Sequence, residues 1–260
     1  MNIGILASGR GSNFGAIVAH ERLGVLDDVD VSVLVYNYSD APVAKIAETQ
    51  GVPSRFIDHR NRARQEFERE IIETLDSYNV ELVCLAGWDR IIGSDFFKKY
   101  RWRAVNIHPA LLPAFGEKGL NAGFVHEAAL EYGVKVTGCT VYFIDVSVEK
   151  GPIILQKPVE IRQKETSLFS VNREQAVGML SDRVLVQEHR LYSKAIQLYA
   201  DKLLHVSEFP VEVGASPRRI VSVHSDSVWE KEWALRQRKF IEKQIESWKS
   251  NTNVSEEDLL

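Results

Sequence analysis

The sequence predicts an α/β protein, a mostly parallel, twisted sheet with helices between its strands, followed by a C-terminal helical appendage. Three observations predict it. Short apolar runs alternate with amphipathic stretches through the first half of the chain. One run, Leu82-Val-Cys-Leu-Ala86, is apolar throughout, as strands buried on both faces are. Beyond Pro210 the pattern becomes charged and rich in tryptophan.

In chain order, residues 2–7 and 29–36 read as strands, separated by a helix starting near Ser12 with Ser12 or Asn13 as its N-cap. Residues 62–79 place Phe67, Ile71, Leu75 and Tyr78 at helical spacing, with charged residues on the other face. Residues 82–86 and 103–107 follow as strands, so the alternation implies βαβ units. From about residue 110 the texture changes. Residues 135–145 and 151–161 are β-rich and close together, an antiparallel hairpin-like extension. Residues 182–200 read as a long helix with Val184, Leu191, Ala195 and Leu198 on one face. A short basic strand at 218–223 precedes a charged segment, 226–250. The expected division is a catalytic body, 1–206, and an extension, 207–260.

Composition narrows the function. With 45% hydrophobic and 26% charged residues over 260 positions, the chain has enough core to fold. Thirty-two basic against 36 acidic residues give a net charge of −4, so no positive field recruits nucleic acid or an anionic membrane. Cys84 and Cys139 form no CxxC pair, which suits a reducing compartment. The N-terminus reads as a strand entering a glycine turn rather than a signal peptide. The longest apolar run, 82–88, is too short to span a bilayer. The expected location is the cytoplasm.

Two local patterns carry chemistry. Ala7-Ser-Gly-Arg-Gly-Ser-Asn13 places Gly9, Gly11 and Gly15 where a strand turns into a helix. Free N–H groups there favour an anion such as phosphate. The spacing is not that of dinucleotide binders, and a plain tight turn explains it equally well. Asn106-Ile-His-Pro109 follows a buried strand, beyond a carboxyl end of the sheet where such folds place ligands. Asn106 and His108 are two residues apart, so in a strand they point the same way. An amide and an imidazole together can stabilise an oxyanion and move a proton. The bland alternative is a core histidine satisfied by backbone. His20, His59, His126, His189, His205 and His224 lack such a setting and read as structural.

Six ordered motifs then resemble the phosphoribosylglycinamide formyltransferase family of folate-dependent enzymes: residues 7–13, 85–92 (Leu-Ala-Gly-Trp-Asp-Arg-Ile-Ile), 106–113 (Asn-Ile-His-Pro-Ala-Leu-Leu-Pro), 138–142, 151–156 and 187–192. The resemblance covers residues 1 to about 206. It implies a Rossmann-like domain that moves a formyl group from 10-formyltetrahydrofolate to the amine of glycinamide ribonucleotide in purine synthesis, with no metal. By the same resemblance, Gly11, Ser12 and Asn13 hold the phosphate and Glu188 meets the amine. Arg90, Ile91 and Ile92, with Asp89 beside them, line the folate site. Arg64 meets the folate glutamate, although a solvated helix face is its plain alternative. Asn106 and His108 are the implied catalytic pair, with Asn106 also beside the folate. Glu149 stands where the family has a catalytic aspartate, and Tyr142 where it usually has histidine. Relative to the family, residues near 115–123 and 167–179 are insertions. These departures leave two alternatives: a sibling formyltransferase acting on another phosphorylated amine, or a folate- or nucleotide-binding homologue with impaired turnover.

The last expectation concerns the appendage. Trp229, Trp233, Ile241, Ile245 and Trp248 can form one apolar stripe while charges of both signs fill the rest. Such a helix docks on its own body or on a second copy in a homodimer, and three tryptophans favour the subunit contact.

Overall fold

The computed structural model describes residues 1–116, 122–145, 151–209 and 218–252. It opens with β1 (Asn2–Ala7), α1 (Ser12–Arg22), β2 (Asp30–Tyr36), α2 (Val43–Thr49) and β3 (Ser54–Phe56). Then come α3 (Arg64–Ser77), β4 (Leu82–Leu85), α4 (Ser94–Lys99), β5 (Ala104–His108) and α5 (Ala122–Tyr132). β6 (Val136–Phe143), β7 (Ile153–Glu160), α6 (Gln163–Phe169) and α7 (Arg173–Ala200) follow. Seven strands form one sheet in the order β3-β2-β1-β4-β5-β6-β7. β3, β2, β1, β4 and β5 pair in parallel, whereas β6 and β7 pair antiparallel. The α/β class, the mostly parallel sheet and the antiparallel extension match the sequence reading.

The period of two in a strand explains why β4 is apolar at every position. Leu82 and Cys84 face a layer that contains Ile3, Ile5, Val105 and Ile107. Val83 and Leu85 face the opposite layer with Leu6, Phe67 and Ala104. Helices cover both layers, so a polar group anywhere in β4 gives up roughly 1.5–3 kcal/mol of burial. One tie crosses from the helices to the sheet: the buried Tyr192 hydroxyl of α7 lies 2.9 Å from the Leu85 carbonyl and 3.1 Å from that of Val105. It fixes α7 over the ends of β4 and β5, where the sheet opens.

Two expectations need correction here. Helix α7 starts at Arg173, not Asp182, and Asn172 caps it by accepting the Gln175 N–H at 3.1 Å. Ser181-Asp182 imitates a cap in the sequence, but the helix continues through it. Helix α1 has Gly11 as its N-cap rather than Ser12 or Asn13, with no side-chain cap. Gly11 takes φ +79°, and a Cβ there would stand 2.5 Å from Val43 Cγ2. The close approach of α2, as well as the left-handed backbone, demands glycine.

Past α7, β8 (Leu204–Phe209) and β9 (Arg218–Val223) form a separate antiparallel pair, and α8 (Ser227–Thr252) closes the described chain. The strand and helix read at 218–223 and 226–250 are both present. Helix α8 lies on its own body. Trp229 Nε1 donates to Asp201 at 2.6 Å, Lys194 pairs with Glu230 at 2.7 Å, and Arg236 reaches Asp27 at 3.2 Å. Phe240 meets the His20 ring edge-on at 4.4 Å, and Trp233 is buried. This is docking on its own body, one of the two modes expected above, and within the single chain α1 and α7 cover this face. Ile241 and Ile245 are not on it. They turn away by roughly 80–140° from Trp233 and Phe240, and are 39% and 47% exposed. The side chain of Trp248 lies outside the described residues.

Candidate active site

The carboxyl ends of β1, β4 and β5 open into a cavity of about 520 Å³, walled further by the start of α1, by β6 and by α7. Gly11, Ser12, Asn13, Asp89, Arg90, Ile91, Ile92, Asn106, His108 and Glu188 all line it. One of the sequence-derived residues stands apart. Arg64 pairs with Glu68 on the next turn of α3 at 2.7 Å, and a Cβ on Gly93 would lie 3.0 Å from its Nη2. That places Arg64 behind the segment after Ile92 rather than in the cavity wall. Glu149 lies outside the described residues.

Strand geometry fixes the central pair. Asn106 and His108 project to the same side of β5. Asn106 sits opposite Tyr142 of β6, and its Nδ2 donates to the Tyr142 hydroxyl at 2.8 Å. The His108 Nε2–H donates to the Phe115 carbonyl at 2.9 Å, which fixes that nitrogen as the protonated one in the neutral ring. His108 is buried and Asn106 half-buried, so an amide donor and an imidazole share a partly dry wall.

Glu188, on α7, sits at one end of the cavity and accepts the Asn13 Nδ2 at 2.8 Å. Burial pushes its carboxyl above the ordinary value, while the Asn13 amide and the positive charges of His108 and Arg10 pull the other way. Beside this carboxylate, the first turn of α1 presents N–H groups without a side-chain cap.

At the other end the segment 85–92 carries Asp89, whose oxygens are crowded with donors. Ser8 Oγ (2.8 Å), Asn37 Nδ2 (2.9 Å), Tyr38 Oη (2.6 Å) and the Arg90 guanidinium (2.9 and 3.0 Å) all donate to it. Burial alone would raise this carboxyl, but the donors outweigh it and hold it well below the usual carboxylate range. Asn37 and Tyr38 escaped the sequence reading, although they follow β2, a neighbouring strand end of the same sheet.

His126, read as structural from the sequence, also lines the cavity. It is buried on α5, and its Nδ1 has no hydrogen-bond partner among the described residues. Burial, then the charge of His108, lowers its pKa to about 4. Only the fold brings residue 126 beside residue 108, so no local motif could have found it.

Comparison with known proteins decides the family. Residues 1–196 match the formyl transferase family. The chain belongs to that family. A trifunctional purine biosynthetic protein adenosine-3 of Gallus gallus is 37% identical over 209 residues, covering 80% of this chain and 19% of that protein. A phosphoribosylglycinamide formyltransferase of Bacillus subtilis (strain 168) is 36% identical over 195 residues, covering 74% and 91% respectively. The chain thus spans about a fifth of the trifunctional relative's length and most of the Bacillus one. Among solved structures, glycinamide ribonucleotide transformylase 1 from Symbiobacterium toebii superposes with a TM-score of 0.73 at 35% identity. The match covers 86% of this chain and 94% of that one. The formyl transferase match ends inside α7, so β8, β9 and α8 lie beyond it.

Proposed function

We propose that this formyltransferase moves the formyl group of 10-formyltetrahydrofolate onto the amine of glycinamide ribonucleotide. The observation that carries this reading is one cavity in which Asn106 and His108 lie between an uncapped helix start and the 85–92 segment. The phosphate sits on the N–H groups of Gly11, Ser12 and Asn13, where the helix dipole favours it. Glu188 faces the amine, and its raised carboxyl suits accepting a proton from it. Arg90, Ile91 and Ile92 flank the folate ring, with Arg64 nearest its glutamate.

As the amine attacks, the formyl oxygen takes up the electron pair. The Asn106 N–H and protonated His108 stabilise that charge. The bond to the folate nitrogen then breaks, and the proton given up by the amine is returned to the leaving nitrogen. Glu149 is the carboxylate that would favour the charged imidazole. The catalytic body is residues 1–206. The buried, unpaired Cys84 and Cys139 support a reducing, cytoplasmic setting. Among the described residues, no helix is long and apolar enough to cross a membrane.

The test is release of tetrahydrofolate with both substrates present. His108→Ala should lower turnover by roughly 10²–10⁴ with little change in folding, the range for a positioned acid or base. Background turnover by the wild-type chain would refute the reading. Near-normal turnover of His108→Ala would remove His108 from the chemistry.

A further inference from the structure

Asp145 lines the cavity two residues beyond the end of β6. Its Oδ2 forms an ion pair with Nη1 of Arg219, which lies on β9 beyond the formyl transferase match. The two side chains are 23% and 17% exposed, so solvent screens this pair only in part.

Arg219 is held on three sides. Its Nε donates to Glu208 at 3.2 Å, directly across the β8–β9 pair. Its guanidinium lies over the Trp102 ring at 5.6 Å, and Trp102 meets Phe143, the last residue of β6, edge-on at 5.9 Å. Glu208 is also paired with Arg101, which lies over the same indole at 5.1 Å. Two guanidiniums and two carboxylates are thus balanced around Trp102. Neighbouring Ile144 packs against the same cluster as Trp88 and Ile92, and Ile92 belongs to the wall assigned above to the folate.

A carboxylate in a half-desolvated wall repels other anions at short range, because the effective dielectric there is far below that of water. Both substrates of the proposed reaction are anionic, through a phosphate and a glutamate tail. We propose that Arg219 is a specificity-determining residue supplied by the C-terminal hairpin, which neutralises Asp145 so that the cavity accepts the anionic folate. The inference rests on the formyltransferase reading above. It makes the hairpin a working part of the site rather than an ornament on the domain.

The experiment is a double-mutant cycle on the full chain. Arg219→Ala should raise the KM for 10-formyltetrahydrofolate about tenfold while kcat changes less than twofold, and added salt should shrink the difference. Arg219→Lys keeps the charge and should stay near wild type. Asp145→Asn in the Arg219→Ala background should restore the KM, because the negative charge that Arg219 balances is gone. A purely structural role would instead lower the melting temperature, and the second substitution would not rescue it. Unchanged KM in a folded Arg219→Ala protein, or no rescue by Asp145→Asn, overturns the inference while leaving the parent reading intact. Wild-type protein without turnover sinks both.

Discussion

Two of the carboxylates that line the cavity, Glu188 and Asp89, follow opposite rules. Glu188 is deeply buried and receives one amide donor from Asn13, so its charged form is costly and its pKa rises. Asp89 is partly exposed and receives donors from Ser8, Asn37, Tyr38 and Arg90, so its charged form is secured and its pKa falls. The environment, not the side chain, sets the role. A carboxylate whose lone pairs are already taken organises the loop 85–92. One with spare capacity, facing an uncapped helix start, has the geometry that the proposed reaction asks of a substrate contact. Asp89 was implied by family resemblance to stand beside the folate. The structure places it in the wall and gives it a specific occupation there, as the fastener that joins the ends of β1, β2 and β4.

The comparison can be broken by paired amide substitutions, because the two sites should respond with opposite signs in stability. The largest effect is expected from Glu188→Gln. Turnover should fall roughly 10²-fold as the proton acceptor is lost. Stability should move upward. A carboxyl whose folded pKa is raised contributes most at pH below its ordinary value of 4.5, and that contribution is lost as pH rises through the folded value. Removing the charge therefore relieves that penalty at neutral pH and raises the melting temperature. The gain should disappear near pH 4. A lower melting temperature at pH 7 would show that Glu188 is well satisfied in the fold, and the contrast with Asp89 would collapse.

A smaller effect, of the other sign, is expected from Asp89→Asn. Each donor loses a charged acceptor, but the site is partly screened by solvent, so the loss should be about 1–2 kcal/mol. Melting should drop by several degrees at pH 7 and converge with wild type only in strong acid, since a depressed pKa gives stability that survives until pH falls through the folded value. Freed Arg90 should weaken folate binding a few-fold without abolishing turnover. A loss of turnover matching that of Glu188→Gln would mean that Asp89 touches the chemistry directly.

What could be read in advance follows the range of the forces involved. The strands β1, β4 and β5 and the Asn106–His108 pair are legible because periodicity two and a buried run are local facts of sequence. The short elements α2, β3 and α4 went unread, since six or seven residues, or only three, carry little periodicity. Helix α8 was legible as a helix, yet its inward face was misjudged. The sequence offers two apolar stripes, and only the positions of Asp27, Asp201 and His20 choose the one carrying Trp233 and Phe240. The ring of donors around Asp89 was invisible for the same reason. Residues 8, 37, 38 and 89 meet only because parallel strands bring their carboxyl ends together.

The effect that is smallest at neutral pH concerns His126, the imidazole that stands near His108 with no partner for Nδ1 among the described residues. Burial lowers its pKa from 6.5 to about 4, so the folded state keeps it neutral where the unfolded chain would protonate it. A lowered histidine costs stability as pH falls from 6.5 towards 4, at up to roughly 1.4 kcal/mol per pH unit, and nothing at pH 7.5. His20 is lowered to about the same value by its burial, so the wild-type slope contains both residues. Melting curves between pH 7.5 and 4.5 should therefore flatten by part of the slope in His126→Gln and by a further part in the double variant with His20→Gln. An unaltered slope in His126→Gln would mean that the imidazole is already charged in the folded protein. The positive charge beside Glu188 would then come from two histidines instead of one. That would pull the Glu188 carboxyl back towards its ordinary value and narrow the gap between Glu188 and Asp89.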